Sequence, residues 1–260
     1  MSDFIRIDRP EPGCARVTID RPQKRNALNE EGWRGIGDAF EQLSVDLSIR
    51  VIILTGVPGV FCAGDDILAF AAVRDDPAAR QRYWDTIMRA YAMVSAAKVP
   101  VIAAIDGPSI GGGCTLALRA DFRIAGPGAV FSVPPARLGL VYPADSTALL
   151  VNAVGAGLAK YMLFTGNTVD AKHAVASGLA LAASSQGAVA SALELAREMS
   201  ASAPLSIQAA KIAVDGIAMG RLAEVTPEVR RLSDLADASE DYREGTAAFA
   251  TKRRPIFQGK

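Results

Sequence analysis

The strongest constraint in this sequence is a charge-free, β-branched run followed within a few residues by a glycine triplet. It lies in V-P-V-I-A-A-I-D-G-P-S-I-G-G-G-C-T-L-A-L-R-A-D-F-R-I-A, residues 99–125. Val101 to Ile105 carries no polar residue, as a strand buried on both faces would. Asp106, Gly107 and Pro108 stop it. Gly111, Gly112 and Gly113 follow, and Cys114 to Ala120 reads as the opening of an apolar helix. Glycines at that junction allow close approach to the backbone, because no Cβ intervenes. Amides at a helix start lack intrahelical partners and sit at the positive end of its dipole. Such a place binds an anion or stabilises a developing oxyanion. The alternative use of the same glycines is tight packing of a helix on a strand.

A second stretch repeats the design. Residues 51–67 read V-I-I-L-T-G-V-P-G-V-F-C-A-G-D-D-I. A β-branched strand again ends in glycine, and the small-residue turn Cys62-Ala63-Gly64-Asp65-Asp66 follows. Two strand ends that each open into an amide-rich turn can place two N–H groups on one carbonyl oxygen.

The pair F-C-A-G-D-D and I-D-G-P-S-I-G-G-G-C-T-L-A-L-R-A-D-F-R-I-A, in this order and spacing, resembles the crotonase superfamily of enoyl-CoA hydratases and isomerases. The resemblance runs from R-P-Q-K-R-N-A-L-N at 21–29 to A-F-A-T-K-R-R-P-I-F at 248–257. It implies an α/β fold, a spiral of repeated ββα units, with a C-terminal helical region for trimerisation. Residues 1–195 would form the spiral core with the CoA-thioester site, and residues 196–260 the helical region that closes the pocket. The resemblance also implies a shared device, a thioester carbonyl held between two backbone amides while an enolate forms or collapses. Matched position by position, those amides belong to Asp65 and Gly112. Each such donor is worth roughly 3 kcal/mol of transition-state stabilisation. Asp65 is an unusual occupant, and its carboxylate is expected to point aside or to pair with a cation. Arg25, Ala27, Ala63, Asp66 and Ile67 fall where relatives hold the CoA moiety. Phe249 and Lys252, with Arg253, match the tail that reaches a neighbour's CoA. CoA would enter as part of the substrate, with no separate cofactor and no metal. A homotrimer or a dimer of trimers would be the assembly.

The resemblance also marks a departure. Hydratases of the family add water with two glutamates, the first in G-G-G-C-E and the second in the P-E of a phenylalanine-led motif. Here Thr115 and Pro135 stand at those positions. Neither side chain titrates in a range that moves a proton near neutral pH. L-G-L-V-Y places Tyr142 where superfamily decarboxylases of malonyl-type esters carry a tyrosine. Asp145 lies two positions beyond the aspartate of isomerases and dehalogenases. Each has a plainer reading, Tyr142 as a packed ring with its hydroxyl on backbone and Asp145 as the cap of a helix starting at Ser146. The reactions left open are isomerisation, decarboxylation and thioester hydrolysis. The alternatives are a CoA-thioester binder without turnover and a structural assembly partner.

Composition sets the remaining limits. Lys plus Arg and Asp plus Glu are 28 each, so net charge makes no global case for nucleic acid or an anionic membrane. The N-terminus lacks the apolar run of a signal peptide, and no uncharged apolar stretch approaches a membrane span. Cys14, Cys62 and Cys114 lie far apart without C-x-x-C spacing, which points to a reducing, cytoplasmic setting and away from structural zinc. His173 is the single histidine and falls on the outer face of a short helix capped by Asp170 and stopped by Gly178, so no Ser-His-Asp triad can use another histidine. Gly155-Ala156-Gly157 lacks the strand and third glycine of a dinucleotide fingerprint. Asn29 predicts a cap for a helix with Trp33, Ile36, Phe40 and Leu43 on one face. Trp84, Ile87, Met88, Tyr91 and Val94 predict another buried face. Pro204 suits a helix first turn within an amphipathic helical tail.

Overall fold

The computed structural model describes residues 2–260. Strands β1 (Ile5–Glu11) and β2 (Cys14–Ile19) form an antiparallel pair, followed by α1 (Glu30–Ser44). Asn29 caps α1 by accepting from the Gly32 N–H at 3.0 Å, as its side chain predicts. Strand β3 (Val51–Gly56) leads to α2 (Ile67–Ala72) and α3 (Pro77–Ser95), and β4 (Val101–Ile105), β5 (Pro108–Ile110) and α4 (Gly112–Leu118) come next. Then β6 (Phe122–Ala125), β7 (Val130–Ser132) and α5 (Ala144–Thr165) repeat the β-β-α unit. Strand β8 (Val169–Asp170), α6 (Ala171–Ala176), β9 (Ala182–Ala183) and α7 (Ala188–Ser200) complete the layered part. Helices α8 (Pro204–Ala218), α9 (Leu222–Ala238) and α10 (Glu240–Ala250) form the tail.

The repeat is visible in the sheets. One sheet has the order β1-β2-β3-β4-β6-β9, and every pair after the first is parallel. A second has the order β5-β7-β8. Isolated parallel bridges Leu28↔Asp65 and Cys62↔Ser109 carry this second row back towards the first units. Each turn of the spiral therefore sends one strand to the large sheet and a short extended piece to the second row.

Strand alternation explains why the central strands read as unbroken apolar runs. Val51, Ile53, Ile102, Ala104 and Ile124 face Ala188, Ala192 and Ala196 of α7. Their neighbours Ile52, Leu54, Val101, Ala103 and Ile105 join the larger core with Trp33, Ile36 and Phe40 of α1 and Ile87 and Val94 of α3. Parallel strands covered on both faces have no polar side to show.

Two expectations need correction here. Trp84 does not join the buried face of α3; it is 36% exposed, while Ile87, Tyr91 and Val94 are buried. Asp145 is not the cap of α5, because Pro143 holds that position and Asp145 lies in the first turn. A third feature escaped the search for uncharged runs. By length and composition α5 is apolar enough to cross a membrane. Asp145 and Lys160 interrupt its charge-free stretch, and Gly155 breaks its helical geometry with φ 72.

Candidate active site

The two glycine-rich turns are built next to each other. Asn26 is fully buried and fixes the first. Its Oδ1 accepts from the Arg21 N–H at 2.8 Å, and its Nδ2 donates to the Val60 and Phe61 carbonyls at 3.0 and 3.1 Å. The Ala63 N–H then donates to the Arg25 carbonyl, Leu28 N–H to Gly64, and Asp66 N–H to Leu28. This extended pairing turns alternate groups towards Leu28 and leaves the Asp65 N–H facing the other way. Asp65 N–H donates to no backbone carbonyl among the described residues.

The second turn follows β5. Gly111 takes φ 54 and ψ −119, which turns the chain from strand into α4. Gly112 is the first residue of that helix, so its N–H has no intrahelical acceptor. It too donates to no backbone carbonyl among the described residues. Gly64 brings the turns into contact. A Cβ there would stand 2.6 Å from the Ile110 carbonyl oxygen and 2.9 Å from the Gly112 nitrogen, and φ is +88. Only glycine satisfies both conditions. Gly64, the residue before Asp65, thus lies directly against Gly112.

Both residues line a cavity of about 310 Å³. Ala63, Ile67 and Trp84 form part of its apolar wall; Thr115, Pro135, Tyr91 and Tyr142 line it too. Other cavities exist, one between α1 and α8 near Leu43 and Leu205, and one beside Phe249. Neither contains the two turns.

Asp65 is the one carboxyl lining the candidate cavity, among the described residues. Its Oδ1 accepts from Trp33 Nε1 at 3.0 Å. Burial pushes it up to about 6, against smaller lowerings by the Trp33 hydrogen bond and by a hydrogen bond from its own backbone N–H. The carboxyl does not turn away from the second turn: its Oδ2 would lie 2.8 Å from a Cβ on Gly112, and its Oδ1 has an indole, not a cation, as partner. Tyr142 Oη lies 2.5 Å from Thr115 Oγ1, and Thr115 Oγ1 lies 3.2 Å from the Gly111 carbonyl. Burial raises Tyr142 above the ordinary phenol range, so it is a hydroxyl at neutral pH. The plainer expectation, a Tyr142 hydroxyl spent on backbone, does not hold. Tyr91 donates to the Gly112 carbonyl at 3.2 Å and packs edge-on against Trp33.

Asp145 lies outside the cavity lining. Its Oδ2 accepts from Arg119 Nη2 at 2.5 Å, and Arg119 also donates to Ser146 at 3.1 Å. Partial burial pushes Asp145 up, but the hydrogen bond and charge of Arg119 outweigh it and hold the carboxyl below its usual range. Such a pinned, ionised carboxylate is a poor proton shuttle.

The residues expected at CoA divide into two groups. Arg25 and Ala27 adjoin the first turn through the Ala63 N–H···Arg25 carbonyl bond and the Arg21 Nη1···Ala27 carbonyl bond of 2.8 Å. Ala63 and Ile67 line the cavity; Asp66 is tied to Arg21 at 2.8 Å and caps α2. Phe249 is 88% exposed and lines the separate cavity, with Tyr242 and Phe257, and Lys252 is exposed. The fold of this single chain does not bring Phe249 or Lys252 to the turns. Among the described residues no cluster of three His, Cys, Asp or Glu could hold a metal ion. His173 is exposed on α6, with Asp170 as its cap.

Sequence reasoning missed Trp33 and Tyr91 as site residues, because helical spacing marked both only as core. The clue for Trp33 was that a buried indole N–H needs an acceptor.

The family described as Enoyl-CoA hydratase/isomerase matches residues 9–260. The 2,3-dehydroadipyl-CoA hydratase of Escherichia coli K12 is 36% identical over 245 residues, covering 94% of each chain. The structure of an enoyl-CoA hydratase/isomerase family protein from Hyphomonas neptunium superposes with TM-score 0.92 at 36% identity, over 99% of this chain and 98% of that one. An enoyl-CoA hydratase/carnithine racemase from Magnetospirillum magneticum gives 0.89 at 33% identity, over 100% and 97%. The α/β fold that the resemblance implies is the fold of these structures. The chain therefore belongs to the enoyl-CoA hydratase/isomerase family of the crotonase superfamily.

Proposed function

We propose that the protein binds an acyl-CoA thioester with its carbonyl oxygen between the Asp65 and Gly112 amides, and that it decarboxylates a malonyl-type ester there. The observation that carries this reading is the pairing of Tyr142 with Thr115 in a cavity whose single carboxyl is Asp65. Loss of carbon dioxide needs no protein base. The bond from C2 to the carboxylate carbon breaks, its electron pair moves into the thioester enolate, and carbon dioxide leaves. The hole stabilises the charge on oxygen. A proton must then reach C2; in this reading it comes from the Tyr142 hydroxyl, kept protonated by burial, which becomes a phenolate and regains its proton from solvent. Thr115 can turn its own proton from Gly111 to Tyr142 and so release the phenol proton towards the cavity. The mostly apolar wall strips water from a substrate carboxylate, which favours its loss.

Relatives named as hydratases support acyl-CoA as the ligand class. Hydration itself requires a base for water, and Thr115 and Pro135 supply none. Double-bond migration requires a shuttle, and Asp145 is held by Arg119 outside the cavity. Exposed Val214, Ile217, Leu222 and Leu235 on α8 and α9 support assembly into a homotrimer or a dimer of trimers.

Purified protein incubated separately with methylmalonyl-CoA, crotonyl-CoA and a 3-enoyl-CoA, with products identified by mass spectrometry, tests the reading. Propionyl-CoA from the first substrate alone supports it. Brisk hydration of crotonyl-CoA contradicts it.

A further inference from the structure

We propose that the Asp65 side chain sets the protonation requirement of the oxyanion hole: the site accepts negative charge on the thioester oxygen only while that carboxyl is neutral. The inference rests on the acyl-CoA reading and goes beyond it, because the hole uses only the backbone of Asp65.

The geometry puts the carboxyl against both donors. It belongs to the residue that supplies one N–H. Its Oδ2 would lie 2.8 Å from a Cβ on Gly112, the residue that supplies the other. Its Oδ1 is fixed by Trp33 Nε1 at 3.0 Å, so it cannot swing away without losing that bond. An ionised Asp65 would therefore share a poorly solvated pocket with the forming enolate. Like charges repel most where water is absent.

Nothing nearby neutralises it. The titratable groups facing Asp65 are Cys62 in its own turn, Tyr83 and Tyr91 from α3, and Tyr142 from across the cavity by way of Tyr91. Burial raises all of these groups, and they are neutral at pH 7. Glu30 and Asp66 lie around Tyr83 and add no positive charge. Of the cations around it, Arg21 is committed to Asp66 and to the Ala27 carbonyl, Lys24 acts on Asp66, and Arg119, 5.1 Å over the Tyr91 ring, is paired with Asp145. A carboxyl left this way is charged only at a cost, and burial, set against the hydrogen bonds from Trp33 and from its own N–H, holds it protonated to about pH 6. A bound acyl group that expels water and gathers charge on its oxygen moves that limit further up.

The test reads the polarisation of a bound carbonyl and does not need turnover. Crotonyl-CoA is bound to wild type and to Asp65→Asn, and the thioester C=O stretch is recorded by infrared difference across the pH range. In wild type the band is displaced to low frequency in acid and returns towards the free-ligand position as pH rises beyond about 6. In Asp65→Asn, which keeps the N–H and an acceptor for Trp33, the displacement persists at every pH. Trp33→Phe removes a hydrogen bond that favours the ionised form, so it shifts the transition to higher pH, which loss of packing alone would not do. Asp65→Ala serves as the second charge-free variant if the Asn protein does not fold, and it too must lose the pH dependence. Displacement in wild type that is the same at all pH overturns the proposal and leaves the acyl-CoA reading intact. Crotonyl-CoA that binds without displacement in any of the proteins, or fails to bind them all, overturns both.

Discussion

The Tyr142 hydroxyl stands 2.5 Å from Thr115 Oγ1, across the gap between the segment before α5 and the first turn of α4. Thr115 Oγ1 also lies 3.2 Å from the Gly111 carbonyl, so the pair is tied to the second glycine turn. If the pair works as one unit, its members cannot contribute independently. Tyr142→Phe should lower kcat for methylmalonyl-CoA by about a hundredfold, the scale of losing one proton donor, with little change in KM. Thr115→Val should cost less, and the double variant should be no worse than Tyr142→Phe. A steady-state cycle over the four proteins checks this. Additive losses would separate the two residues.

Gly64 holds the turns together by having no side chain. At φ +88, with backbone oxygen and nitrogen of the facing turn at 2.6 and 2.9 Å from any Cβ, alanine must push Ile110 and Gly112 away. Gly64→Ala should cost about 2–4 kcal/mol of stability and should abolish turnover even where the variant folds. Denaturant unfolding and turnover assays, run at a temperature where the variant is folded, read the two effects separately.

Asp145 is predicted to be a structural partner of Arg119. Its side chain is 50% exposed, so the pair is screened on one side and its loss should cost no more than about 1 kcal/mol. Asp145→Asn should leave decarboxylation within a few-fold of wild type. A loss of several orders of magnitude in kcat, with the thermal midpoint unchanged, would return Asp145 to the chemistry.

The fold was legible because its signals are local and repeated. Val51–Gly56 and Val101–Ile105 show no polar alternation, and the structure covers both faces of each. Asn29, Asp170 and Pro204 mark helix starts by their own chemistry. The glycine turns were legible as a pair because Gly64 and Gly111–Gly113 each follow a buried apolar strand, β3 and β4, by a few residues. The partners of the side chains were not legible. That Asp65 would bond to Trp33 depends on α1 lying behind the first turn, a contact across 32 residues. That Arg119 would hold Asp145, and so remove it from the cavity, depends on how α4 and α5 meet. Trp84 shares the spacing of a buried face, yet the cavity keeps its side of α3 open.

Asp65 also predicts a pH dependence of stability. Its folded-state value of about 6 lies above the ordinary carboxylate value. Its contribution is therefore fully present below about pH 4, where the carboxyl is neutral in both states, and is lost as pH rises through 6. The two-unit gap corresponds to about 3 kcal/mol at neutral pH. Asp66 runs the other way, because Arg21 holds it low and its contribution is lost only in acid. Asp65→Asn should be the more stable protein at pH 8 and lose that advantage near pH 4. Urea unfolding at both pH values measures the difference, and an equal stability at pH 8 would mean that burial does not raise the Asp65 carboxyl above its ordinary range.

The account turns on one measurement: release of labelled carbon dioxide from carboxyl-labelled methylmalonyl-CoA by wild type and Tyr142→Phe, beside the hydration rate of crotonyl-CoA by the same preparations. The account predicts catalysed release that falls about a hundredfold in Tyr142→Phe, with hydration near background in both. Fast hydration without release of carbon dioxide would contradict it and would make Thr115 and Pro135 compatible with the ordinary chemistry of the family.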